Sequence, residues 1–140
     1  MPNSKGRTYS GRCDCGSVRY VTTSELRPVV NCHCGQCRRT SGHFVAATAA
    51  KRDTLEITES LGLTWYKSSD FARRGFCRYC GSSLFWERTQ PESEMISIMA
   101  GTLDTPTGLS TALNIFVEDA GDYYAMDERI PQGPNSDAIG

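Results

Sequence analysis

Apolar and polar residues alternate in short runs along this chain. Val18, Tyr20 and Thr22, then Leu55 and Ile57, Leu84 and Trp86, and Ile96 and Ile98 fall on every second position. That is the period of a strand with one buried face. A 3.6-residue period is nearly absent, so helix contributes little. Thirteen glycines and six prolines break up the runs and predict short connections. The expected elements are a hairpin over 8–23 that bends at Cys13, Cys15 and Gly16, a strand over 28–34, and one helical turn over 36–40. Strands follow over 43–49, 55–57, 63–67, 74–77, 83–87, 95–100 and 113–117. Residues 46–50 fit a helix equally well, and the tail from Pro131 is expected to fray. The fold class is mainly β.

Composition adds a difficulty. At 140 residues the chain suits a single domain, 1–140. Val, Ile, Leu and Phe together supply only 25 of those residues, a poor stock for a core. Seven cysteines stand against this shortage, more than packing requires and fewer than a disulfide scaffold carries. A bound metal is the expected substitute for missing core. The net charge of -1, with no polybasic block, predicts no nucleic-acid partner. The first ten residues are polar and no stretch reaches spanning length, which predicts a cytoplasmic protein without a membrane partner.

The cysteines fall into three clusters: Cys13-x-Cys15, Cys32-x-Cys34-x-x-Cys37 and Cys77-x-x-Cys80. Loops with one or two intervening residues place two thiolates on one zinc ion. Disulfides are the main competing reading, but an odd count and strained Cys-x-Cys bridges oppose them. A thioredoxin-type motif needs a βαβ setting that is missing around Cys77 and Cys80, and an iron–sulfur cluster remains a further alternative. Seven thiolates divide naturally into a closed site of four and an open site of three. Cys32, Cys34 and Cys37 can wrap one ion, leaving Cys13, Cys15, Cys77 and Cys80 for another, although spacing permits other partitions.

Three motifs carry a resemblance: Gly11-Arg12-Cys13-Asp14-Cys15-Gly16-Ser17-Val18-Arg19-Tyr20, Asn31-Cys32-His33-Cys34-Gly35-Gln36-Cys37-Arg38-Arg39-Thr40-Ser41-Gly42, and Phe76-Cys77-Arg78-Tyr79-Cys80-Gly81-Ser82-Ser83-Leu84-Phe85. Over residues 11–86 the chain resembles the glutathione-dependent formaldehyde-activating enzymes, a family that includes the centromere protein V group. The resemblance implies a zinc-stabilised β-tent (Mss-four-like) domain with two zinc ions per chain. It assigns Cys13, Cys15, Cys77 and Cys80 to a structural zinc, and Cys32, Cys34 and Cys37 to a catalytic one. It further implies a carbon–sulfur lyase or synthase whose partners are glutathione and formaldehyde, giving S-hydroxymethylglutathione. Asn114 stands where many relatives carry histidine, and Asp122-Tyr123-Tyr124 where tryptophan is usual, so the thiol and aldehyde are open to change.

The chemistry suits such a site. Three thiolates leave a bound zinc with a formal charge of -1, a poor activator of water but a good holder of another soft sulfur. Addition to a carbonyl then needs orientation and a proton donor. His33 can supply a proton or merely bond backbone. Arg38 and Arg39 can offset thiolate charge or receive a carboxylate, or be ordinary surface charges. Tyr123 and Tyr124 either border the site or pack the C-terminal segment. The competing function is a binding or scaffold module in which both zinc ions only hold the fold. A protein side chain as fourth ligand beside Cys34 would favour that module.

Overall fold

The computed structural model describes residues 7–139. In chain order the elements are β1 (Tyr9–Arg12), β2 (Arg19–Thr22), β3 (Val29–Cys32), α1 (Gly35–Ser41), β4 (Val45–Lys51) and β5 (Leu55–Glu59). After these come β6 (Leu63–Ser69), β7 (Ala72–Cys77), β8 (Ser83–Arg88), β9 (Met95–Met99), β10 (Thr111–Ile115) and β11 (Gln132–Gly133). The protein is mainly β, as the alternation predicts, and residues 46–50 are strand. Two compact units divide the chain, one drawn from residues through Arg27 and from Thr48–Gly108, the other from Pro28–Ala47 and from Leu109 onward.

The first unit contains a three-stranded antiparallel sheet in the order β1-β2-β5, with Tyr9 opposite Thr22 and Gly11 opposite Tyr20. In β1 every second residue is buried, so Tyr9 and Gly11 face inward beside Tyr20 and Thr22 of β2. Strands β6 to β9 form an antiparallel meander. Val18, Tyr20, Leu84, Phe85 and Ile98 are fully buried. Tyr20 and Phe85 meet edge to face at 5.3 Å, a favoured aromatic geometry. The Tyr20 hydroxyl reaches Thr102 Oγ1 at 2.7 Å, and burial pushes its pKa up to about 12. Aromatic volume thus replaces some of the scarce aliphatic core.

In the second unit the strand order is β11-β10-β3, with the start of β4 paired antiparallel to β3. β10 runs parallel to β3, and Asn114 lies opposite Asn31. β11 runs parallel to β10. This corrects the expectation of a frayed tail: Gln132 and Gly133 pair with Asn114 and Ile115, and a 3-10 turn follows over Ser136–Ile139. The tail's low hydrophobicity hid the pairing, because backbone hydrogen bonds carry it.

Between β3 and β4 the chain forms α1. Cys34 caps its start by accepting the Cys37 N–H at 3.3 Å. Gly42 ends it in the left-handed region, φ 86°, and donates its N–H to Arg38 O at 2.8 Å. Arg38 and Arg39 occupy the last turn, the end where helix carbonyls favour cations.

Candidate metal centres

Two loops of the first unit build a four-cysteine cluster. One is the bend between β1 and β2, where Cys13 N–H donates to Val18 O and Gly16, at φ 83°, donates to Cys13 O. The other is the knuckle after β7, where Cys77 N–H donates to Ser82 O and Gly81 N–H returns to Cys77 O. The ligand atoms of Cys13, Cys15, Cys77 and Cys80 all lie within 4.8 Å of one another. Cys13 Sγ to Cys15 Sγ is 3.8 Å and Cys15 Sγ to Cys77 Sγ is 3.7 Å. Four sulfurs at about 2.3 Å from a tetrahedral ion would stand about 3.8 Å apart, so the group fits such an ion.

Surrounding donors support anionic sulfur. Val18 N–H points at Cys13 Sγ at 3.3 Å, and the N–H groups of Tyr79 and Cys80 point at Cys77 Sγ at 3.4 and 3.5 Å. Ser17 Oγ sits 3.1 Å from both Cys15 Sγ and Cys77 Sγ. The Ser82 hydroxyl, 3.2 Å from Cys80 Sγ, is the largest influence holding that thiol down to about 5. Hydrogen bonds to a charged form stabilise it, and here that form is thiolate.

The second cluster is local. Cys32 ends β3, Cys34 caps α1 and Cys37 lies in its first turn, and their sulfurs lie within 4.8 Å of one another. The Cys32 thiol donates toward Cys34 and holds the Cys34 thiol well below the ordinary range, which leaves Cys32 correspondingly raised. Among the described residues the group contains no fourth histidine, cysteine or carboxylate. This cluster can hold a cation with a position to spare. Together the two clusters can hold metal ions, and no disulfide links any of the seven cysteines.

His33 is not that fourth member. Successive residues of extended chain point to opposite sides, so Cys32 and Cys34 share a side and His33 faces away. It is buried, with Nε2 2.8 Å from Asn114 Oδ1 and Nδ1 2.6 Å from Tyr124 Oη. Five rings gather here: His33, His43, Phe44, Tyr123 and Tyr124. His43 Nδ1 meets Tyr123 Oη at 3.1 Å. Burial raises the Tyr124 pKa above the ordinary phenol value, with the Arg38 guanidinium pulling it down and the Cys32 thiol pushing it up.

The two arginines therefore part company. Arg38 reaches toward Tyr124 electrostatically and buries its Nε without a hydrogen-bond partner, whereas Arg39 is exposed. Sequence reasoning found the cysteines and placed His33 near them. It singled out Asn114 as a departure from the family and Tyr124 as a candidate border of the site, but did not link either to His33, from which they stand 81 and 91 residues away.

A family profile described as glutathione-dependent formaldehyde-activating enzyme matches residues 8–119. An uncharacterised lyase of Schizosaccharomyces pombe is 33% identical over 117 residues, 83% of each chain. A crystal structure of a Rhodobacter sphaeroides protein is similar with a TM-score of 0.56 at 27% identity, over 71% of this chain and 91% of that one.

Proposed function

The chain belongs to the glutathione-dependent formaldehyde-activating enzyme family, and from that premise we propose that it is a zinc-dependent carbon–sulfur lyase joining glutathione to formaldehyde. The product is S-hydroxymethylglutathione, and the same site runs the reaction in reverse. The observation that carries the reading is the contrast between the clusters: four cysteines close one, while three make up the other with no fourth histidine, cysteine or carboxylate among the described residues. A closed four-thiolate set is structural, and an open three-ligand set is where chemistry happens.

Cys13, Cys15, Cys77 and Cys80 would hold one zinc ion, and Cys32, Cys34 and Cys37 the other. At the three-cysteine cluster a bound zinc supplies a soft centre that keeps an incoming thiol in its nucleophilic, deprotonated form. Arg38, next to Arg39 on α1 and less exposed than it, is the better candidate to offset the negative charge that collects there. In the addition the sulfur lone pair forms the carbon–sulfur bond, the carbonyl π pair moves to oxygen, and that oxygen takes up the proton the thiol gave up. His33 turns its nitrogens to Asn114 and Tyr124, so its part is to hold Tyr124 in place. A protein confined to the cytoplasm meets both reactants there.

Adduct formation must be measured against the uncatalysed rate, since thiols add to formaldehyde spontaneously. The expected result is acceleration by the wild type and its loss in Cys34→Ser with the circular dichroism spectrum retained. Acceleration that survives in Cys34→Ser removes the proposal.

A further inference from the structure

His33 is the single residue between two members of the three-cysteine cluster, and three hydrogen bonds from later parts of the chain fix it. Its N–H donates to Ile115 O at 3.0 Å, its Nε2 meets Asn114 Oδ1 at 2.8 Å and its Nδ1 meets Tyr124 Oη at 2.6 Å. Asn114 Oδ1 only accepts, so Nε2 carries the ring proton, and the Tyr124 hydroxyl donates to the bare Nδ1. The bond that holds Tyr124 therefore holds His33 in return. The residue is 2% exposed, and Phe44 and Tyr124 pack its ring at 4.8 and 5.5 Å between centroids. Turning the ring away would strand buried polar atoms, which is costly.

Fixing His33 fixes its neighbours. In extended backbone the side chains of Cys32 and Cys34 leave on the side opposite the imidazole, so any turn of the chain at His33 swings both sulfurs together. Cys37 follows Cys34, because its N–H donates to Cys34 Sγ at 3.3 Å, while Ser41 Oγ holds the Cys37 carbonyl at 2.7 Å. The four-cysteine cluster belongs to the other unit and is shaped by the hydrogen bonds of its own two loops.

We infer that Asn114 and Tyr124 are positioning residues for the three-cysteine cluster: acting through His33, they hold Cys32 and Cys34 at the separation a cation needs and so set how tightly that cluster keeps its ion. The inference rests on reading the cluster as a metal site. Outer partners that orient ligands are worth about 10–100-fold in metal affinity, and these two act from the far side of the histidine, without contact to the ion or a substrate.

Zinc-loaded protein is titrated with a chromogenic chelator, and the two equivalents of zinc are followed separately, the one missing from Cys34→Ser marking the three-cysteine cluster. Asn114→Leu removes the acceptor and should weaken that equivalent at least about tenfold, with the other unchanged. Tyr124→Phe keeps the ring contacts and should shift the same equivalent in the same direction. Asn114→Asp keeps an oxygen acceptor for Nε2–H and should release zinc as the wild type does. Cobalt(II) exchanged into the cluster gives an independent reading: its visible ligand-field bands follow the arrangement of the sulfurs, and should move in Asn114→Leu and return in Asn114→Asp. Wild-type affinity in both Asn114→Leu and Tyr124→Phe overturns the inference and leaves the metal site standing, as does an equal weakening of both equivalents, which marks damage to the fold alone. A wild type that holds a single zinc ion overturns both.

Discussion

Cys15 Sγ and Cys77 Sγ stand 3.7 Å apart although 62 residues separate them in the chain. The bend between β1 and β2 is thereby tied to the knuckle after β7, within a unit whose aliphatic core is thin. Cys32, Cys34 and Cys37 span only six positions and tie together nothing remote.

Metal removal should therefore act unequally. Binding free energy at a site joining distant segments is folding free energy, on the order of 10 kcal/mol for structural zinc. Cys80→Ser should unfold the protein or lower its melting temperature by at least about 10 °C, while Cys37→Ser should lower it by a few degrees at most. Calorimetric melts of the two variants and of chelator-treated wild type check this. Equal losses would show that the two clusters share the structural burden.

Acid should release the metal in a set order. Cys80 is depressed in the folded state, from the usual thiol value of 9.0 to about 5, with the Ser82 hydroxyl as the first cause. A depressed group contributes its stabilisation fully above the unfolded value, and that contribution fades as pH falls and is gone below the folded one. Retention by the four-cysteine cluster should thus decline toward pH 5 and collapse beneath it. Ser82→Ala should move the release to higher pH, as a chromogenic zinc indicator would report during acid titration. An unchanged release curve would remove Ser82 from the explanation.

Gly62 stands against the same cluster. A methyl group there would meet Ser17 Oγ and would lie 2.7 Å from Cys77 Sγ, closer than real side chains approach. The Gly62 backbone is also fixed by its N–H to Ser17 O and by its carbonyl to Arg78 N–H. Gly62→Ala should weaken metal affinity by about tenfold or more, since displacing a ligand and its hydrogen-bonding neighbour costs at least that. Competition with a zinc chelator measures the shift, whereas Gly35→Ala, with open space around it, should leave this affinity unchanged.

Glu87 of β8 tests charge burial. Its side chain is 5% exposed and takes Arg73 Nε at 2.6 Å and Nη2 at 2.5 Å, with Arg52 Nη2 at 3.4 Å. Arg73 also lies over the Trp65 ring at 3.9 Å and is itself 41% exposed. Removing Arg73 leaves the buried carboxylate with only the longer Arg52 contact, whereas removing the glutamate leaves cations that can turn to water. Arg73→Met should cost about 3 kcal/mol and Glu87→Met clearly less. Urea unfolding of both variants decides, and the reverse order would contradict the account.

The sequence by itself determined the features that depend on neighbours along the chain. Alternation marked most strands, because a half-buried strand writes its period directly into residue order. Cys-x-Cys and Cys-x-x-Cys spacings marked metal-binding loops, since one turn of backbone sets the separation of their sulfurs. One helical turn expected over 36–40 became α1, which the structure extends to Gly35–Ser41 and ends at Gly42. Only the tertiary structure decided which pairs of cysteines meet, because nothing in the spacing forbade another partition of the seven. It also decided that β11 pairs with β10, through backbone groups that composition does not reveal. His33 illustrates the limit most clearly. The sequence set it between Cys32 and Cys34, yet its partners, Asn114 and Tyr124, arrive from β10 and the segment beyond it. Side-chain direction in extended backbone turns the histidine away from its own neighbours, and long-range strand pairing chooses the residues it meets.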